Sequence, residues 1–358
     1  MTRTALLPWH APIFKTWHAI ANKAHAYLIV APDGTGGEYL LNQLAHSVLC
    51  ENTDAQHLAC GQCAACLLLQ SYSHPDLRVL RPAILDVNHP IEEMRPEQGA
   101  GKPKPSKEIS VAQVRGLANM VNQTSHRGGQ RVILVYPAQK LNRNAANALL
   151  KTLEEPPPNT LFFLLVDDVK QLLPTIISRC QRIEAPAPSI DAGADYLNQV
   201  LGTTSDWAQL LATENGAAIR VQELSQGNYF ELQQQLIDAL AQGSRLSALR
   251  LAEQFEKHIA DAEKARLAGG GSGIDVNTFI TWLQRWLHDL LCESQGSGAA
   301  RYYPKHQKAL QQIALKTNAI KLHEFEQQLL KSKRYAEHPL NLKTWLEHIL
   351  LDYAQRIA

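Results

Sequence analysis

The chain has 358 residues, 45 % of them hydrophobic, which suits two or three domains with sizeable cores and excludes disorder as the default. Lys+Arg 35 against Asp+Glu 34 gives a formal charge of +1, so the surface as a whole is not a nucleic-acid footprint, although a local basic patch stays open. No apolar run approaches the ~18 residues needed to span a bilayer, and residues 1–18 show no signal-peptide pattern, so a soluble, cytoplasmic protein is expected.

Residues 26–31 (AYLIVA) are a short apolar run of the kind that forms a strand buried on both faces of a parallel sheet. The turn that follows, Pro32-Asp33-Gly34-Thr35-Gly36-Gly37-Glu38, stands where a nucleotide-binding P-loop would. In such a loop backbone N–H groups cradle phosphate, a Lys neutralises it and a hydroxyl holds Mg²⁺. The pattern asks for glycine at 31 and 36, lysine at 37 and Ser or Thr at 38. The chain offers Ala31, Gly36, Gly37 and Glu38, so one position of the pattern survives and a carboxylate faces where phosphate would lie. Either the loop is a degenerate P-loop or it is simply a glycine-rich βα turn. In both cases no functional ATP site is expected.

A helix over 38–49 ends at Cys50, and Cys60, Cys63 and Cys66 follow at C-x-x-C-x-x-C spacing. Four thiols within seventeen residues of a cytoplasmic chain point to metal rather than to a disulfide framework. Zinc takes four thiolates as a closed tetrahedron with no open position for water, so the expected metal is structural. His57 and His74 lie close by and are read as surface histidines.

Residues 77–80 form the second strand. The stretch 81–107, with prolines at 82, 90, 96, 103 and 105, is expected to be a surface insertion. Ser110 and Gln113 have capping-box spacing and open a helix over 110–122. The third strand, 132–136, ends in Tyr136-Pro137, where a hydrolysing P-loop enzyme places acidic residues; this is a degenerate Walker B element. A helix over 142–155 is stopped by Pro156-Pro157-Pro158. The fourth strand covers 161–166, a helix ends near Arg179, and a short strand covers 181–184. Beyond Pro188 the strands stop. Residues 190–226 hold three short amphipathic segments and 229–358 read as helices only, broken by loop tips at 269–273 and 296–298. Phe279, Leu283, Trp286, Leu287, Leu290 and Leu291 form an apolar stripe.

Two blocks, residues 147–157 (NALLKTLEEPP) and 174–180 (PTIISRC), resemble the clamp-loader branch of AAA+ proteins. Pro8-Trp9, His74-Pro75-Asp76 and His338-Pro339-Leu340-Asn341 are similar to that family too. The missing Lys and acidic residues set the chain apart from the gamma/tau subunits, whose ATPase motifs are intact. The resemblance implies a RecA-like AAA+ α/β domain with a zinc module at 50–66 (residues 1–187), a small helical lid (188–228) and an all-α collar domain that joins a hetero-pentamer (229–358). It implies that Arg179 is an arginine finger acting in trans on the ATP of a gamma/tau neighbour. Arg220 takes the lid's nucleotide-sensing position, with a structural contact the favoured role. The implied partners are gamma/tau and delta subunits of bacterial DNA polymerase III, and, through the complex, the sliding clamp and the phosphates of primer-template DNA. Two other readings compete: an autonomous AAA+ ATPase acting on DNA, and a zinc-module nucleic-acid binder unrelated to clamp loading.

Overall fold

The computed structural model describes residues 6–20, 24–71, 73–85, 106–121, 129–203, 205–267, 273–298, 300–335 and 341–356. Most of the expected insertion (86–105), most of the loop tip at 269–273 and His338, Pro339 and Leu340 lie outside the described residues. The chain divides into two units, 1–220 and 221–358.

The first unit runs α1 (Ala11–Ile20), β1 (Ala26–Val30), α2 (Gly37–Leu49), α3 (Ala64–Gln70), β2 (Leu77–Leu80), α4 (Val111–Val121), β3 (Arg131–Val135), α5 (Arg143–Glu154), β4 (Thr160–Val166), α6 (Pro174–Ile177), β5 (Gln181–Glu184), α7 (Ile190–Leu201) and α8 (Trp207–Thr213), and ends inside α9 (Ala218–Leu224). All five strands are parallel, in the order β2-β3-β4-β1-β5.

Side chains alternate across a strand, and here both sets are apolar. Tyr27, Ile29, Val132, Leu134, Phe163 and Leu165 face one side, against Phe14 and Trp17 of α1 and Leu40, Leu41 and Leu44 of α2. Leu28, Ile133, Val135, Phe162 and Leu164 face the other, against Val114 and Leu117 of α4 and Leu149 and Leu153 of α5. Covering both faces is why β3 and β4 are buried along their whole length.

Local chemistry fixes the helix ends. The Ser110 backbone N–H donates to Gln113 Oε1 at 2.7 Å and the Gln113 N–H donates back to Ser110 Oγ at 3.4 Å, the reciprocal pair expected from the spacing. Asn142 caps α5, its side chain accepting from the Ala145 N–H at 2.9 Å.

The second unit contains α10 (Tyr229–Leu240), α11 (Ala248–Leu267), α12 (Val276–Ser294), α13 (Gln307–Ala314), α14 (Ala319–Tyr335) and α15 (Leu342–Arg356). Its core gathers Phe255, Phe279, Trp282, Trp286, Phe325 and Tyr353, so the stripe on α12 is core packing, with Leu291 at its margin. Among the described residues no helix is long and apolar enough to cross a membrane.

Candidate functional site

The glycine-rich turn leaves β1 and enters α2 through Gly34 (φ +74°) and Gly36 (φ +89°), a backbone region that side chains with a Cβ seldom adopt. Protein side chains fill the space around it. A Cβ at Gly36 would overlap Leu7 Cδ1, one at Gly37 would lie 2.8 Å from the Ala31 Cβ, and one at Gly34 would lie 2.6 Å from the Arg220 Cβ. The Trp9 indole N–H donates to the Thr35 carbonyl at 2.9 Å. From the start of α9, the Ile219 and Arg220 N–H groups donate to the Gly34 carbonyl at 3.0 and 3.1 Å. Arg220 Nη1 pairs with Asp33 Oδ2 at 2.8 Å, and its Nε lies 4.0 Å from Glu214 Oε2. Glu38 stands in the first turn of α2, one residue after Gly37.

At the end of β3, Tyr136 is buried and its hydroxyl accepts from Arg81 Nη1 at 3.1 Å. A buried guanidinium therefore lies against the Tyr136 side chain at the end of β3. The Tyr136–Pro137 peptide is cis. Arg81 belongs to no sequence motif; it directly follows the C-terminal end of the neighbouring parallel strand β2, 55 residues before Tyr136.

Arg179 follows the single turn of α6 and precedes β5. Pro174 at the start of α6 supplies the fixed φ that opens a helix, and Arg179 N–H closes the turn on the Ile176 carbonyl at 3.1 Å. The side chain is 33 % exposed. Its Nη1 donates to the Thr175 carbonyl at 2.8 Å and to Ser178 Oγ at 3.2 Å, and Nη2 meets Glu154 Oε1 at 2.5 Å. Glu154 belongs to the recognised LEEPP block but carries no expected role from sequence. Cys180 is partly buried against the α4–α5 side of the sheet, and burial pushes its thiol up to about 12, which suits packing and not nucleophilic chemistry.

The four cysteines converge. Cys50 is the C-cap of α2 and Cys63 the N-cap of α3, so two helices aim their ends at one point. Cys50 Sγ lies 3.6 Å from Cys60 Sγ and 3.9 Å from Cys63 Sγ, and Cys60 Sγ lies 4.0 Å from Cys66 Sγ. All four sulfurs fall within 4.8 Å of one another. A tetrahedron of Zn–S bonds of about 2.3 Å has edges of about 3.8 Å, close to these separations, so the set fits a zinc ion. Backbone N–H groups of Asn52, Cys60, Cys63 and Cys66 point at sulfur at 3.3–3.4 Å, which favours thiolates. Burial works against ionisation of Cys63, but hydrogen bonds from the Cys66 and Glu51 amides and from the thiols of Cys66 and Cys60 outweigh it and lower it to about 6. Amide hydrogen bonds from Gln62 and Cys63 lower Cys60, whereas burial raises Cys50 and Cys66. Four sulfur ligands leave no open coordination position.

His57 is exposed, as expected, and its ring stacks on His18 of α1 at 4.4 Å. His74 is not a surface residue. It is 4 % exposed, and its Nδ1 accepts the Asp76 N–H at 3.1 Å, closing the His74-Pro75-Asp76 turn ahead of β2. A histidine beside a proline reads as loop surface, but in this turn both His74 and Asp76 are buried.

Residues 11–189 match the family described as DNA polymerase III, delta subunit, and residues 271–355 match the family described as DNA polymerase III, delta subunit, C terminal. The DNA polymerase III subunit delta' of Pseudomonas aeruginosa is 30 % identical over 359 residues, covering 98 % of this chain and 97 % of that one. Its counterpart in Haemophilus influenzae is 40 % identical over 200 residues, 54 % of this chain and 53 % of that one. That of Escherichia coli is 32 % identical over 241 residues, 65 % of each chain. The chain belongs to the delta' family of DNA polymerase III subunits.

Proposed function

We propose that this chain is a non-hydrolysing subunit of the DNA polymerase III clamp loader that helps load the sliding clamp onto primed DNA by presenting Arg179 to the ATP of a neighbouring gamma/tau subunit. The observation that carries this reading is a contrast within one unit. The Gly34–Glu38 turn has no lysine and is packed by Leu7, Ile219 and Arg220, while Arg179 offers a partly exposed guanidinium on the short turn before the edge strand β5. Charge stabilisation thus has no substrate of its own to act on and is available to another chain's phosphates. A guanidinium is permanently charged and presents a planar fork that matches phosphate oxygens.

In this reading the transferred phosphoryl group belongs to the neighbour, whose own residues hold Mg²⁺ and the attacking water. Arg179 stabilises the charge that develops on the phosphoryl oxygens as the bond to the leaving diphosphate breaks. Arg220 is a structural tie between Asp33 and α9. The four-cysteine module holds a structural zinc that fixes the 50–66 loop to the ends of α2 and α3. Residues 1–187, 188–228 and 229–358 serve as ATPase-like module, lid and collar. DNA is met through phosphates, shared with the other subunits.

The test is a reconstituted complex of this chain with gamma/tau and delta subunits. Arg179→Ala should leave assembly intact and lower clamp- and DNA-stimulated ATPase by roughly 10³-fold, the low end of what such a finger supplies. Stimulated ATPase equal to that of the unsubstituted complex would remove the assignment.

A further inference from the structure

Glu154 is the last residue of α5, and its carboxylate therefore sits at the negative end of a twelve-residue helix, where an acidic side chain is disfavoured. The compensating charge is Arg179. With Nη2 on the Glu154 carboxylate at 2.5 Å and Nη1 on the Thr175 carbonyl at 2.8 Å and Ser178 Oγ at 3.2 Å, the guanidinium is held from two sides by its own chain. Both members of the pair are wet: the side chains are 33 % and 50 % exposed. An ion pair this exposed adds little to stability, because water screens both charges. It is an interaction that a polyanion can displace.

We propose that Glu154 is the counter-ion that parks Arg179 at the edge of this chain until the phosphates of a neighbouring subunit's nucleotide take the guanidinium from it; this rests on Arg179 acting in trans. The carboxylate and the phosphate compete for the same Nη2–H. The Thr175 carbonyl and Ser178 hydroxyl sit on the other guanidinium nitrogen and remain in place during the exchange, so the side chain swings little. Glu154 is then a positioning residue: it touches neither nucleotide nor metal, and acts only through Arg179.

A neutral isostere separates the two roles. In the reconstituted complex with full-length subunits, Glu154→Gln keeps the shape and removes the charge. The ATP concentration for half-maximal hydrolysis should fall about two- to fivefold, the equivalent of an exposed ion pair, while the maximal rate stays the same. Glu154→Asp, which keeps the charge, should remain close to the unsubstituted value, and Glu154→Gln combined with Arg179→Ala should match Arg179→Ala alone. If Arg179→Ala lowers the rate but Glu154→Gln leaves half-saturation unmoved, or lowers the maximal rate, the counter-ion role is wrong and the finger stands. If Arg179→Ala has no effect, the finger reading fails and takes this proposal with it.

Discussion

Arg220 and Asp33, separated by 187 residues, meet as an ion pair at 2.8 Å on the rim of the glycine-rich turn. Together with the two amides of α9 bonded to the Gly34 carbonyl, the pair turns what would be an open cradle into a packed joint. The isolated chain is therefore expected to give no saturable heat on titration with ATP and Mg²⁺ and no turnover in a coupled assay. Saturable binding with hydrolysis would return the chain to the class of autonomous ATPases.

The same packing makes Gly36 intolerant of a side chain. Its φ of +89° disfavours any residue with a Cβ, and an added methyl would overlap Leu7 Cδ1. Gly36→Ala should destabilise the protein by ~1–3 kcal/mol, from overpacking and left-handed strain together, read as a lowered urea midpoint. A midpoint unchanged from the parent would mean that Leu7 does not press on the turn.

The cysteine module should bind one zinc per chain. The 50–66 loop has few apolar residues of its own, so its order depends on ligand bonds, as in small metal domains whose binding energy is folding energy. Metal analysis after mild purification should give a ratio near one. Replacing Cys60 and Cys63 with serine should abolish it and open new protease cleavage between Glu51 and Gly61, with the sheet intact by circular dichroism. A zinc-free protein whose loop resists protease as well as the parent would show that the metal does not hold it.

Much of this was legible in the sequence because the informative residues were adjacent or periodic. β3 and β4 could be read from their apolar runs, the α4 cap from Ser110 and Gln113, and the four-cysteine cluster from the spacing of Cys60, Cys63 and Cys66. What could not be read depends on distant pairs. Glu154 and Arg179 are 25 residues apart, Arg81 and Tyr136 are 55 apart, and neither pair leaves a pattern. Helix α3 is hidden because it is only seven residues long and begins inside the cysteine spacing, and α1 because Pro12 and a mixed run of aromatic and polar residues hide its apolar face.

Two buried histidines should make the fold acid-sensitive. His10 is fully buried beside Gly36, neither of its ring nitrogens has a hydrogen-bond partner, and burial lowers its pKa from 6.5 to about 4. His46 is lowered to about 4 by burial and by repulsion from His74. Both are depressed on folding, so below pH 6.5 the unfolded chain takes up protons that the folded chain refuses. Their contribution is fully present above pH 6.5, falls as pH is lowered through that value, and levels off near 4. Each histidine adds at most about 1.4 kcal/mol per pH unit to the slope in that window. His10→Leu should flatten the fall in urea midpoint between pH 7.5 and 5 by about one proton's worth; an unchanged slope would show that His10 is protonated in the folded state.

In the second unit the buried polar groups form a relay. The Trp286 indole N–H donates to the Tyr353 hydroxyl at 2.7 Å, and that hydroxyl donates to the Leu240 carbonyl at 3.0 Å, joining α12, α15 and the end of α10. Asp289, also buried, accepts the N–H groups of Arg301, Tyr302 and Tyr303 and holds the loop ahead of α13 against α12. Removing one hydroxyl from such a relay strands a donor and an acceptor where water does not reach, at a cost of ~1–3 kcal/mol, whereas the ring keeps its packing. Tyr353→Phe should therefore lower the unfolding free energy by that amount, read as a lowered urea midpoint, with no change in zinc content, because the two features lie in different units. If the Phe variant melts with the parent, a water or a shifted side chain must satisfy Trp286 and Leu240, and a high-resolution structure of the variant would show it in the vacated position.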